Sequence, residues 1–226
     1  MRSSIYVFLF SIQKLFNRKS FFINMQSLSG CADFDLFLGG GYLSGSITGV
    51  YGPGGSGKTT LAMLAALEQV KMGKKVFFLD TEQGFSVERF KQLGRDIKNM
   101  EYFFLLPVKS FEEQCEKIRE LGKMKYSKDV GLIIVDTISR FYRVALKEYP
   151  SSNNEMATQF KILSYIAREH DIPILVMNQV YALLDKNEVG VVGGHMVENW
   201  CKWLIHLEKG KITDDLRARL QEILQA

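Results

Sequence analysis

Gly52-Pro53-Gly54-Gly55-Ser56-Gly57-Lys58-Thr59 satisfies G-x-x-x-x-G-K-[ST] in full. The residue types suit one task. Glycines let successive backbone N–H groups turn inward as an anion nest. A helix starting at the end of the loop adds the positive end of its dipole. Lys58 brings a point charge to the β- and γ-phosphates, and the Thr59 hydroxyl is a ligand for Mg²⁺. Thr60 follows on the same first turn. A plain glycine turn is the bland alternative, but the preceding run Ser46–Tyr51 reads as a strand and Thr59–Lys71 as a helix, the setting in which a phosphate-binding loop occurs. The implied ligands are ATP and Mg²⁺.

Three further positions fall where apolar runs end. Asp136 closes Leu132–Val135 and suits the Walker B carboxylate that acts on Mg²⁺ directly or through water. Asp80-Thr81-Glu82 closes Lys75–Asp80. The carboxyl ends of parallel strands face the ligand crevice, so Glu82 is placed to orient or deprotonate an attacking water. A solvated loop glutamate is the other reading. Asn178-Gln179 closes Pro173–Asn178, where an amide can sense a terminal phosphate or simply make a turn. Residues 140–155 read as a loop in which Arg140, Arg143 and Lys147 are interleaved with tyrosines. Basic side chains among aromatics suit single-stranded nucleic acid, though ordinary surface charge explains them too. A second, glycine-ended loop at 181–194 holds Asp185 and Glu188 against Lys186 and is not basic. Trp200, Trp203, His170 and His206 read as packing residues, whereas His195 beside Gly193-Gly194 is a weaker phosphate candidate.

These residues require an α/β core. Buried strands are expected at Ser46–Tyr51, Lys75–Asp80, Tyr102–Leu106, Val130–Asp136, Pro173–Asn178 and Lys202–Glu208. Helices are expected at Thr59–Lys71, Ser86–Leu93, Ser110–Lys123 and Asn154–His170. Strands this apolar suit a mostly parallel, twisted sheet with helices on both faces.

The chain of 226 residues carries 46% hydrophobic residues and a net charge of +4. That charge resides in residues 1–24, which hold Arg2, Lys14, Arg18 and Lys19 and no acid; the rest has 25 basic and 25 acidic residues. An evenly basic DNA-coating protein is excluded. The apolar run Ile5–Ile12 is too short to span a bilayer, and residues 1–24 read as an extension ahead of a domain that begins at Met25. The core is expected over 25–209. Residues 210–226 read as an amphipathic helix, with Leu216, Leu220, Ile223 and Leu224 on one side. Cys31, Cys115 and Cys201 have neither metal-ligand spacing nor an even count, so packed thiols in a reducing, cytoplasmic setting are expected.

From Leu28 to Lys209 the chain resembles the RecA-like recombinase family. The resemblance rests on GCADFDLFLGGGYLSGSITGVYGPGGSGKTT, KVFFLDTEQGFSVERF, LIIVDTISRFYRVAL, MNQV and VGGHMVENWCKWLIHLEK. FYRVAL and the last two point to an archaeal paralogue branch rather than to the main recombinases. It implies that Glu82 is the catalytic glutamate, that Arg89 stacks on adenine, that Gln179 couples the γ-phosphate to a DNA loop, and that 140–155 and 181–194 face DNA. It implies an accessory protein of DNA repair and homologous recombination, binding single-stranded or branched DNA and working with a main recombinase or a junction nuclease, away from any membrane. There are departures. No helix-hairpin-helix precedes the core, no Phe-x-x-Ala is present, no proline follows Pro173, the family's final strands are not recognisable after Lys209, and Asn199 stands at the phosphate-sensing histidine position. The expectation is weak ATP turnover, little DNA stimulation and no strand exchange alone. The competing readings are a RecA-fold regulatory ATPase that does not touch nucleic acid and a P-loop small-molecule kinase. The kinase would need arginines converging over the phosphates, and no such cluster is visible in the sequence.

Overall fold

Successive side chains of a strand point to opposite faces, so a run such as Leu132–Val135 without a polar member needs cover on both sides. A computed structural model, describing residues 26–94, 99–148, 150–183 and 188–208, shows that cover. The elements run, in order, β1 (Gln26–Ser27), α1 (Ala32–Leu38), β2 (Tyr42–Leu43), β3 (Ile47–Tyr51), α2 (Lys58–Lys71), β4 (Lys75–Asp80) and α3 (Val87–Gly94). They continue with β5 (Phe103–Pro107), α4 (Phe111–Lys123), β6 (Val130–Asp136), α5 (Arg140–Glu148), α6 (Ser152–His170) and β7 (Ile174–Asn178). The last are β8 (Val180–Leu183), β9 (Glu188–Val191), α7 (His195–Trp200) and β10 (Trp203–His206).

Six strands form one sheet in the order β10-β3-β7-β6-β4-β5, and every pairing in it is parallel. The alternation of side chains divides the core in two. Ile133 and Val135 of β6 join Phe111, Ile118, Phe160 and Leu163 on one face, whereas Leu132 and Ile134 join Ala62, Ala66, Val70 and Phe90 on the other. Helices α4 and α6 thus cover one side and α1, α2 and α3 the other, as the apolar strands require. The caps are local. The Ser110 Oγ accepts the Glu113 N–H at 3.1 Å, and the Ser86 Oγ accepts the Arg89 N–H at 3.1 Å.

Two segments differ from the loops expected. The first half of 140–155 is a helix, α5, because Tyr142 and Ala145 recur at i, i+3 and are both buried in the core. The chain then turns, and the Ser152 Oγ donates to the Ala145 carbonyl at 2.8 Å as α6 begins. The described part of 181–194 is a hairpin in which β8 and β9 pair antiparallel, from Val180 opposite Val191 to Leu183 opposite Glu188. The ring of Tyr181 lies across Gly190, where an added Cβ would meet it at 2.6 Å. The expected extension at 1–24, the expected helix at 210–226, and Asp185 and Lys186 lie outside the described residues.

Candidate nucleotide site

Register gathers the candidate residues. Asp80 and Asp136 are partners across β4 and β6, and Tyr51 and Asn178 are partners across β3 and β7. Four neighbouring strands therefore end within about one residue of each other, at one edge of the sheet. The loop after β3 passes through left-handed backbone at Gly55 (φ 72°) and Gly57 (φ 94°), which glycine adopts without strain. At Gly52 a side chain is excluded by contact, since a Cβ there would lie 2.2 Å from the Leu207 carbonyl oxygen. The loop delivers Lys58 to the first position of α2.

Lys58 is buried, and its ammonium folds back over the loop, donating to the Gly52 carbonyl at 2.8 Å and to that of Pro53 at 2.9 Å. Burial pulls its pKa down, while the carboxylates of Asp136 and Glu82 hold it up. Phosphate oxygens are stronger partners for an ammonium than peptide carbonyls, so the lysine is poised to exchange one for the other.

Asp136 is 1% exposed, and its Oδ1 has no hydrogen-bond partner. Burial raises its pKa to about 6, with Asp80 and Glu82 adding to the rise and the Thr59 hydroxyl and Lys58 opposing it. A buried carboxylate oxygen without a partner is costly unless a cation takes it. Asp136 and the adjacent Thr59 hydroxyl are hard oxygen donors of the kind Mg²⁺ prefers. Among the described residues no group of three His, Cys, Asp or Glu side chains closes a metal site by itself.

Asp80 is buried and builds the next loop, accepting the Gly84 N–H at 3.3 Å and the Phe85 N–H at 3.1 Å. The Thr81 hydroxyl donates to the Thr137 carbonyl at 2.7 Å and accepts the Thr137 N–H at 2.8 Å, which fixes β4's loop to β6's. The peptide between Asp136 and Thr137 is cis. Glu82, carried on that loop, is surrounded by donors. Its Oε1 accepts from the Thr137 hydroxyl at 3.0 Å and from the Gln179 Nε2, and the Arg140 Nη1 reaches its backbone oxygen at 3.1 Å and its Oε2 at 3.4 Å. The Arg143 Nη1 donates to the Gln179 Oε1 at 2.9 Å. Gln179 also ties the site to the hairpin, since its carbonyl accepts the Val192 N–H at 3.1 Å, and the Asn178 Nδ2 donates to the Val192 carbonyl at 2.9 Å.

These groups surround one cleft of ≈ 570 Å³, a size that suits a mononucleotide. Of the candidate residues, Gly52, Pro53, Gly54, Gly55, Gly57, Lys58, Thr59, Thr60, Glu82, Asp136 and Gln179 all line it. Ser56 is buried behind the loop, with its hydroxyl unpartnered. Three expected residues stand apart. Arg89 is exposed on α3, its guanidinium 3.5 Å from the Gln92 Oε1. Lys147 is exposed in the last turn of α5. His195 is exposed and pairs with Glu198 at 2.9 Å, off the cleft. His206 stacks on Tyr51 with centroids 4.6 Å apart, in the packing role expected of it. Cys115 and Cys201 are buried thiols pushed up to about 11 and about 12 by burial, so both are inert.

Sequence reasoning missed three things. Arg143 lines the cleft beside Lys58 and Glu82. Arg140 turns toward Glu82. The Thr81–Thr137 pair and Asp80 hold the loops. The signal available for the arginines was helical spacing: on a helix, residues three apart share a face, so Arg140 and Arg143 point the same way.

The model of the Rad51 family matches residues 18–222. A protein of Methanococcoides burtonii called DNA repair and recombination protein RadB is 40% identical over 192 residues, 83% of this chain and 84% of that protein. Its namesake in Methanobrevibacter smithii is 37% identical over 182 residues, 77% of this chain and 78% of that one. A crystal structure of the RadB recombinase superposes with a TM-score of 0.65 at 34% identity, covering 80% of this chain and 82% of that one. With most of its length matched by that family, and a parallel sheet that presents a P-loop, a buried aspartate and a glutamate at one edge, this chain belongs to the Rad51 family of RecA-fold proteins.

Proposed function

We propose that the chain is an ATP-binding accessory protein of DNA repair and homologous recombination. It binds ATP with Mg²⁺, hydrolyses ATP slowly, associates with single-stranded or branched DNA and does not exchange strands alone. One observation carries the nucleotide reading: the buried Asp136 Oδ1 lacks a partner in the same cleft that the Gly52–Thr59 loop and Lys58 enter. Lys58 and the loop amides would hold the phosphates, Thr59 and Asp136 the metal, and Glu82 the attacking water. Bound Mg²⁺ would supply electrostatic stabilisation of charge developing on the terminal phosphate. Arg89 would reach the base from α3. The names of the relatives support the recombination role, and helix α5, with Arg140 and Lys147 exposed on it, is the candidate DNA-facing element. Partners in this reading are DNA and a main recombinase or a junction nuclease. The compartment is the cytoplasm; among the described residues no helix is long and apolar enough to cross a membrane.

A second reading, a regulatory ATPase that does not bind nucleic acid, draws on the inward turn of Arg140 and Arg143, which occupies them at the cleft. Titration of single-stranded DNA at several salt concentrations separates the two. Phosphate contacts give a linear fall of log K with log salt. A protein with measurable ATP affinity and no salt-dependent DNA binding is the regulatory ATPase.

A further inference from the structure

Two sets of residues line the cleft. One is the loop with Lys58, the cradle for the inner phosphates. The other is Glu82 and Gln179, which follow β4 and β7. Among the described residues lining the cleft, two are cations, Lys58 in the first set and Arg143 hydrogen-bonded to the second. Arg143 reaches there from the first turn of α5, the element that follows β6 and its Asp136. Its Nη1 donates to a neutral amide oxygen, that of Gln179, at 2.9 Å.

We propose that Arg143 is a terminal-phosphate contact supplied by the same subunit, which makes the site selective for a nucleoside triphosphate over a diphosphate. The assignment rests on the nucleotide reading of the P-loop. A guanidinium offers a planar fork of donors that a phosphate oxygen pair fills better than an amide does. When a triphosphate enters, Arg143 exchanges the Gln179 oxygen for the outermost phosphate, leaving the Gln179 Nε2 to Glu82. A diphosphate ends at the Lys58 side of the cleft and leaves the Arg143–Gln179 bond in place. The charge at the outer phosphate thus comes from within the chain, so triphosphate selectivity does not depend on assembly.

The test titrates the full chain, with Mg²⁺, against a non-hydrolysable ATP analogue and against ADP. Wild type, Arg143→Ala, Arg143→Lys and Lys58→Ala are compared at protein concentrations tenfold apart. Arg143→Ala should lose about tenfold in analogue affinity while ADP affinity stays within about twofold; a charge-assisted contact to phosphate is worth about that factor or more. Arg143→Lys should recover part of the loss, and the selectivity of wild type should not change with protein concentration. Retained ADP binding shows that the variants are folded. Equal loss for both nucleotides, or loss for neither, overturns the assignment. So does a fall of about one unit in the salt slope of single-stranded DNA binding with nucleotide affinities unchanged, which would make Arg143 a DNA contact. Lys58→Ala should weaken both nucleotides. If wild type binds neither nucleotide, the P-loop reading itself fails and this assignment falls with it.

Discussion

The side-chain amide of Gln179 donates to Glu82 Oε1 across 97 positions of sequence, joining the end of β7 to the loop after β4. The bond links the glutamate proposed to activate water with the residue whose backbone leads into the β8–β9 hairpin. A carboxylate held by Thr137, Gln179 and Arg140 is oriented before any ligand arrives.

Glu82→Gln should therefore separate chemistry from binding. The amide keeps the shape of the side chain and loses the proton acceptor. Nucleotide affinity should stay within about twofold, and single-turnover phosphate release should fall by about 10²–10⁴, the range for a positioned general base. Abolished binding with the residual turnover unchanged would assign Glu82 to the metal or the loop.

Lys58→Ala should cost at least about tenfold in affinity for ATP, because it removes a charge-assisted phosphate contact of about 1.5–3 kcal/mol. It also frees the Gly52 and Pro53 carbonyls that the ammonium now holds. Calorimetric titration reads the first effect. An affinity that does not change would show that the loop amides bind the phosphates unaided.

How much of this was legible in the sequence depends on whether a feature is local. The P-loop was, because loop, strand and helix are contiguous from Ser46 to Lys71. Strand β6 was, because Val130–Asp136 is bounded by a polar turn and a carboxylate. Helix α5 was not. Its buried positions Tyr142 and Ala145 sit among exposed basic and apolar side chains, and composition outweighed spacing. Nor was the use of its arginines, since Arg140 meets a residue 58 positions away and Arg143 one 36 positions away. Such contacts are fixed by strand order, which puts β7, β6 and β4 side by side, and no local pattern encodes that order.

Asp136→Asn should give opposite effects on stability and binding. Because the folded pKa of Asp136 is raised to about 6 from an ordinary 3.8, the folded state binds this proton more tightly than the unfolded chain. The ionised carboxylate therefore costs stability above about pH 6, and the cost fades as pH falls toward 4. The asparagine carries no charge at any pH. The ligand-free variant should melt above wild type at pH 8, and the two should converge as pH falls through that window. Affinity for the Mg²⁺ nucleotide should drop in the variant at pH 8, and in wild type it should weaken as pH falls below about 6. A melting difference that is flat between pH 8 and pH 4 would show that the Asp136 carboxyl does not titrate in that window.

The last prediction concerns Arg140 and the ceiling on DNA stimulation. With Thr137, Gln179 and Arg140 donating to its carboxylate, Glu82 has fewer lone pairs free to accept from an attacking water. Basal turnover should thus lie far below the roughly 10 per second of a median enzyme. Arg140 is the cation among those donors, and its side chain is 42% exposed, so a DNA phosphate can compete for it. An ion pair this exposed is worth up to about 1 kcal/mol, so its release raises the rate by at most about fivefold. Single-stranded DNA should stimulate phosphate release by no more than that factor. Arg140→Ala should reach the stimulated rate without DNA and gain nothing further when DNA is added. Steady-state phosphate release in the four combinations of variant and DNA reads the outcome. Stimulation of a hundredfold, or an Arg140→Ala variant slower than wild type, would mean that Arg140 places Glu82 for catalysis rather than restraining it.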